Sequence, residues 1–127
     1  MKLFDASSIF NIIIAEKYDR ISGASTIRLA EYELGNILWK NHTIRKTISL
    51  DELSELRSAM ALLFESIELV ENSLEETIEL AVRERITFYD SSYLSAARKH
   101  NYDLVTDDER LYRVAKKYLN AYHCGEV

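Results

Sequence analysis

An α/β fold around a parallel sheet is what the residue pattern predicts, and three features predict it. Short apolar runs alternate with longer stretches whose apolar residues recur at helical spacing. Strands separated by helices need crossover connections, and crossovers make the strands parallel. The chain has no proline and only three glycines, Gly23, Gly35 and Gly125, which suits helices joined by short turns.

Taken in order, Lys2–Phe4 is an apolar run that reads as a buried first strand. Asp5, Ser7 and Ser8 then offer caps for a helix through Ile9–Ala15. A second strand falls near Gly23–Thr26, and Arg28–Lys40 follows as a helix burying Ala30, Leu34, Ile37 and Leu38. Ser49-Leu50-Asp51-Glu52 has the spacing of a capping box and opens a helix to about Phe64. Ile67–Val70 reads as a strand. Ser73 and Glu76 form a second capping box, and the helix after it has a predicted core stripe of Leu74, Ile78, Ala81, Val82 and Ile86. A helix from about Tyr89 to His100 comes next, then a strand at Asp103–Thr106. Leu111, Val114, Ala115, Tyr118 and Leu119 recur at 3.6-residue spacing in another helix, and Ala121–Cys124 is a last strand.

A length of 127 residues predicts one domain, residues 1–127, able to bury about two-thirds of its unfolded surface. With 47% hydrophobic and 29% charged residues the chain is neither a disordered tail nor a membrane protein. Its richest apolar stretch, Ile9 to Ala15, is too short for a bilayer and is interrupted by Asn11. No export signal is legible, and the single Cys124 excludes an internal disulfide framework, so the cytoplasm is the expected compartment. A net charge of −5 argues against binding nucleic acid by bulk charge. It is compatible with an enzyme that handles nucleic acid through a bound cation, since a hard-metal site requires carboxylates.

Ligands of parallel sheets sit beyond the carboxyl ends of the strands. Asp5 directly follows the first strand, and Asp107 and Asp108 follow the strand Asp103–Thr106. Two further acids stand out: Glu33, in a mostly apolar helix, and Asp90, in the first turn of the helix that begins near Tyr89. Singly, each has a structural explanation. Asp90 suits the helix dipole and Asp107 or Asp108 suits an N-cap. Asp5, between a core strand and a core helix, is the hardest to explain that way.

Four segments carry these acids: Phe4-Asp5-Ala6-Ser7, Tyr32-Glu33-Leu34-Gly35-Asn36, Tyr89-Asp90-Ser91-Ser92-Tyr93-Leu94-Ser95-Ala96-Ala97 and Leu104-Val105-Thr106-Asp107-Asp108-Glu109-Arg110-Leu111. In these motifs, and in their order from end to end, the chain resembles the PIN-domain family, and within it the small VapC-type toxins. The resemblance implies an α/β/α sandwich around a parallel sheet of four to five short strands, and a metal-dependent ribonuclease. It maps the catalytic acids to Asp5, Glu33, Asp90 and Asp108. Ser7 falls on the hydroxyl residue two after the first Asp, and Thr106 on the one before the last acid. The usual Thr-x-Asp spacing selects Asp108, while adjacent Asp107 can substitute or assist. Asn36 fits the Asn three after the Glu, as a supporting group. A VapC-type protein also implies an antitoxin covering the site and a homodimer, with the helices near Arg28–Lys40 and Asp51–Phe64 as candidate interfaces.

Physics supports the same reading. Carboxylates within ~6 Å of one another repel by roughly 3 kcal/mol per pair at an effective dielectric of 20. A fold tolerates this with a compensating cation or raised pKa values. Mg²⁺ or Mn²⁺ accepts carboxylate oxygens, keeps several waters, lowers the pKa of one and offsets phosphoryl charge. Asp5 and Asp90 are the expected direct ligands, Asp108 binds through water or holds a second ion, and Glu33 orients or deprotonates the attacking water.

The competing readings fit less well. A receiver domain needs an acidic pair after the first strand, and a haloacid-dehalogenase-type phosphatase needs Asp-x-Asp; Asp5-Ala6-Ser7 supplies neither. A non-catalytic PIN-like binding module would lack one or more of the acids, and an RNA-processing nuclease outside toxin–antitoxin pairs remains an alternative. His42, His100 and His123 show no zinc-ligand spacing. Tyr89, Tyr93, Tyr112 and Tyr118 are read as core or interface residues. Lys40–Lys46 is the one local basic cluster, read as a solvated turn between helices or as a surface that steers phosphate or meets an acidic partner, and Arg98, Lys99, Arg110 and Arg113 are residues that can flank the acidic cleft.

Overall fold

The computed structural model describes residues 1–127. The strands are β1 (Lys2–Phe4), β2 (Ser25–Thr26), β3 (Glu68–Leu69), β4 (Asp103–Val105) and β5 (Ala121–Tyr122). The α-helices are α1 (Ala6–Ala15), α2 (Leu29–Trp39), α3 (Leu50–Ser66), α4 (Leu74–Glu84), α5 (Phe88–His100) and α6 (Glu109–Ala115). All strand pairs are parallel, in the order β3-β2-β1-β4-β5, and helices flank the sheet as expected.

This order carries the functional consequence. The chain builds outward from β1 to β2 and β3, then returns to the other side of β1 for β4 and β5. Connections therefore diverge between β1 and β4, and a crevice opens at their carboxyl ends. Phe4 pairs with Val105, so Asp5 and Thr106 are the next residues out on neighbouring strands.

Leu3, Phe4, Leu104 and Val105 are all but inaccessible to solvent, as expected of central parallel strands covered on both faces. Ile9 and Ile12 of α1, Leu34 of α2, Leu94 of α5 and Leu111 of α6 pack around them in one core.

The structure corrects several expectations. Of the predicted core stripe on α4, Leu74, Ile78 and Val82 face out, at 65%, 48% and 75% exposed; Ala81 is half-buried, and Ile86, just past the helix, does join the core. Thr77 and Leu80 are buried instead. The cause is α5, whose buried face is built from Ser91, Ser92, Ser95, Ala96 and Ala97. The Ser91 hydroxyl donates to the Thr77 carbonyl (2.7 Å) and that of Ser95 to the Ser73 carbonyl (3.3 Å). Small polar residues thus set the helix contact and select a face of α4 roughly one residue step, about 100°, away from the apolar stripe. Only half of the second capping box forms. Ser73 accepts from the Glu76 amide, but the Glu76 carboxylate pairs with Arg98. Lys40–Ile44 is not a turn: it continues α2 as a wider π-helical turn. The last predicted helix ends at Ala115, four residues short of Leu119, and Tyr18–Ile21 forms a 3-10 turn with no sequence forecast.

Candidate active site

Asp5 leaves β1 at the crevice, where its amide donates to the Val105 carbonyl of β4 (3.1 Å). Its extended backbone makes it the N-cap of α1. Oδ1 accepts from the Ser8 amide (2.9 Å) and from the hydroxyls of Ser7 (2.7 Å) and Ser8 (3.0 Å). Oδ2 accepts from the Thr106 hydroxyl at 2.5 Å. The residue is only 4% exposed. Burial pushes its pKa up to about 6, although the bonds from Thr106, Ser8 and Ser7 pull the other way.

Asp90 enters from the first turn of α5, and its amide donates to the N-cap Thr87 hydroxyl (3.1 Å). Half-buried, it is held above the usual carboxylate range by burial first, then by the charges of Asp108 and Glu33, with Arg110 opposing. Glu33 approaches from α2. One turn after Asp90 on α5, buried Tyr93 donates its hydroxyl to Glu33 Oε1 (2.6 Å). Burial, then the bond to Glu33 and the charges of Glu33 and Asp5, push the Tyr93 phenol far up, so it remains a donor. Asp108 is the exposed N-cap of α6. Its Oδ1 accepts from the Leu111 amide (2.9 Å), and its own amide donates to the Thr106 hydroxyl (3.1 Å).

The structure thus brings Asp5, Glu33, Asp90 and Asp108 to one edge of the sheet, from four separate segments. It separates the two adjacent acids. Asp107 turns its carboxylate toward Asn11 of α1 (2.7 Å) and the Cys124 amide (2.8 Å). Burial alone would raise its pKa, but the bonds from Cys124 and Asn11 hold it below the ordinary value. Ser7 and Thr106 both donate to Asp5, while Asn36 lies exposed one turn beyond Glu33.

Other candidates are redistributed. Tyr93, expected as a core or interface residue, is buried and links Glu33 to the neighbourhood of Asp5; its place three residues after Asp90, one helical turn on, is the signal that pointed to it. Tyr89 is exposed beside Asp90, so of the core and interface readings it is not a core residue. Arg98 lies eight residues beyond Asp90 on α5, about 12 Å along the helix, and pairs with Glu76 there. Arg98 and Lys99 therefore do not flank the acids. Arg110 does lie near Asp90, with its guanidinium donating to the Arg85 carbonyl (2.7 Å).

No three His, Cys, Asp or Glu side chains close around a point to cage a metal ion. The candidate ligands at the edge are carboxylates, and burial first, then the charges of Asp108 and Glu33, raise the pKa of Asp90. This set fits a hard cation that keeps most of its waters and takes one or two carboxylates, as Mg²⁺ does.

The family profile described as PIN domain matches residues 1–117. Exonuclease VapC9 of Pyrobaculum aerophilum is 31% identical over 113 residues, 86% of this chain and 81% of that protein. Ribonuclease VapC3 of the same organism is 31% identical over 122 residues, 87% of this chain and 92% of that protein. The crystal structure of PAE2754 from P. aerophilum superposes with a TM-score of 0.83 at 26% identity, covering 98% of this chain and 84% of that one. FitAcB from Neisseria gonorrhoeae shares the fold, with a TM-score of 0.60 at 13% identity over the full length of both chains.

Proposed function

Because the chain belongs to the PIN-domain family, we propose that it is a VapC-like nuclease that hydrolyses RNA phosphodiester bonds with Mg²⁺ or Mn²⁺ at this acidic edge. The observation that carries the proposal is the shared charge of Asp90, Asp108 and Glu33 at the crevice where buried Asp5 emerges. Asp5 and Asp108 also cap helices, but capping does not require four carboxylates from separate segments at one strand-order reversal, and a cation site does.

Asp5, Asp90 and Asp108 are the residues that would hold the ion. When bound, such an ion offsets charge on phosphoryl oxygens and lowers the pKa of a water. The chain's own groups do the rest. Ser7 and Thr106 fix both oxygens of Asp5. The Tyr93 hydroxyl holds Oε1 of Glu33, leaving Oε2 to orient the attacking water and take its proton. Asn36 occupies a supporting position along the same helix.

The same reading gives the protein an antitoxin partner and a homodimeric state, and places it in the cytoplasm. Exposed Trp39, Leu50 and Leu62 on α2 and α3, with Leu74, Ile78 and Val82 on α4, support apolar protein contacts. No helix is long and apolar enough to cross a membrane.

The test is RNA cleavage by the purified chain with Mg²⁺ or Mn²⁺, beside an EDTA control and the Asp5→Asn/Asp90→Asn double variant. Cleavage by the parent alone, abolished by EDTA, is the expected result. Equal cleavage by the double variant, or in EDTA, would overturn the acidic centre.

A further inference from the structure

Asp107 stands next to a candidate ligand but uses its carboxylate elsewhere. Oδ1 accepts from the Cys124 amide (2.8 Å) and Oδ2 from the Asn11 side chain (2.7 Å). Its own amide donates to the Ser7 hydroxyl (3.0 Å), which donates to Asp5 Oδ1 (2.7 Å). A second relay runs beside the first: the Asp108 amide donates to the Thr106 hydroxyl (3.1 Å), which donates to Asp5 Oδ2. A hydroxyl has one hydrogen. When a backbone N–H occupies its lone pair, that hydrogen is directed to the remaining acceptor, here the Asp5 carboxylate. The orientation of both hydroxyls therefore depends on where the amides of residues 107 and 108 are held.

The C-terminal segment holds them. The Thr106 amide donates to the Tyr122 carbonyl (2.9 Å), and the His123 ring stacks on Tyr112 with Nδ1 3.2 Å from the Thr106 carbonyl. The Cys124 carbonyl accepts from Arg20 (3.2 Å), which ties this segment to the turn after α1. Asp107 is the side chain that joins it to α1 itself.

We propose that Asp107 is a positioning residue rather than a metal ligand. By clasping Asn11 of α1 and the Cys124 amide, it fixes the Thr106–Asp108 turn, so that Ser7 and Thr106 donate to Asp5 and Asp108 stays within charge range of Asp90. The catalytic consequence rests on the nuclease reading above. Displacing a reacting group by about 1 Å can cost on the order of 100-fold in rate, so a loosened turn is felt in kcat.

Two variants of the full chain separate the roles. Asp107→Asn keeps a carbonyl oxygen for the Cys124 amide and, once the Asn11 amide turns over, a donor for its oxygen. Asp107→Ala keeps neither contact. The readouts are RNA-cleavage kinetics with Mn²⁺ and amide hydrogen exchange at positions 107 and 108 by NMR, below the unfolding temperature of each variant. For Asp107→Ala the expected result is a kcat down roughly 30- to 100-fold, little change in KM and exchange faster by about tenfold or more. Asp107→Asn should stay within about fivefold of the parent in each. If Asp107→Asn is as inactive as Asp107→Ala while its exchange is parent-like, the charge itself acts and the proposal is overturned. Parent-like exchange in Asp107→Ala overturns it too. If Asp107→Ala does not fold, Asn11→Ala removes one contact and should lower kcat about 3- to 10-fold with faster exchange; no change refutes the clasp. A parent that cleaves no RNA would sink the nuclease reading, and hydrogen exchange alone would still decide whether Asp107 fixes the turn.

Discussion

Replacing Asp5 with Asn should stabilise the protein while abolishing its metal-dependent chemistry. Burial raises the Asp5 pKa from its ordinary 3.8 to about 6, so the folded state resists its ionisation. Each pKa unit is worth about 1.4 kcal/mol, which makes the cost of the buried charge roughly 3 kcal/mol above pH 7. The sign follows from linkage: a carboxyl whose folded pKa is raised favours folding below about pH 4 and loses that contribution as pH rises through about 6. Asn fills the same space, and its oxygen can accept from Ser7 and Ser8. Its nitrogen would meet the Thr106 hydroxyl, which already accepts from the Asp108 amide, so the hydroxyl hydrogen loses its acceptor at about 1 kcal/mol. The expected net gain is about 2 kcal/mol at pH 8, or roughly 5–10 °C in Tm for a chain of this size. Urea denaturation of both proteins in EDTA, from pH 4.5 to 8, measures the difference. It should be small at pH 4.5, open through pH 5–7 and then level off. Adding Mg²⁺ at pH 8 should stabilise the parent and not the variant, since only the parent keeps the full charge that a cation relieves. A variant less stable than the parent at pH 8, or a gap that does not change with pH, would refute the reasoning.

Three further outcomes follow from the same geometry. Tyr93→Phe removes the donor to Glu33 Oε1 and should lower kcat about 10- to 100-fold, with a stability loss of about 1 kcal/mol by denaturation; unchanged kcat would detach Glu33 from the chemistry. Leu80→Ala should cost about 2–5 kcal/mol, because that side chain is buried between α4 and α5. Val82→Ala, two residues on, should stay within about 0.5 kcal/mol, and a large loss there would mean that α4 packs by its apolar stripe in solution.

The parallel order of the elements was legible because its signals are local. Asp5 and Ser49 cap their helices where the sequence predicts, and the first strand carries the adjacent apolar pair Leu3 and Phe4. The face of α4 was not legible, because its choice depends on Ser91 and Ser95 of another helix. Leu74, Ile78 and Val82 have better helical periodicity than Thr77 and Leu80, but close approach by hydroxyls bonded to the Thr77 and Ser73 carbonyls overrides it. The end of α6 escaped for a similar reason. Tyr118 and Leu119 keep helical spacing and pack partly against the core, but the chain must turn there to bring Ala121 beside Leu104.

The same distinction governs the candidate site. Four acids placed after strands or on inward helix turns are visible as positions along the chain, and their gathering at one edge follows from the strand order. What each carboxylate does is set by groups remote in sequence. Asp107 and Asp108 are chemically identical neighbours, and spacing can only prefer one. In the fold, the Asp108 carboxylate touches the amide of its own helix and keeps an oxygen free at the crevice, while both oxygens of Asp107 are occupied, one by a helix 96 residues away. Those bonds commit Asp107 to α1 and the C-terminal segment. Asp108 instead acts by its charge on Asp90, and that difference in surroundings separates the members of the pair.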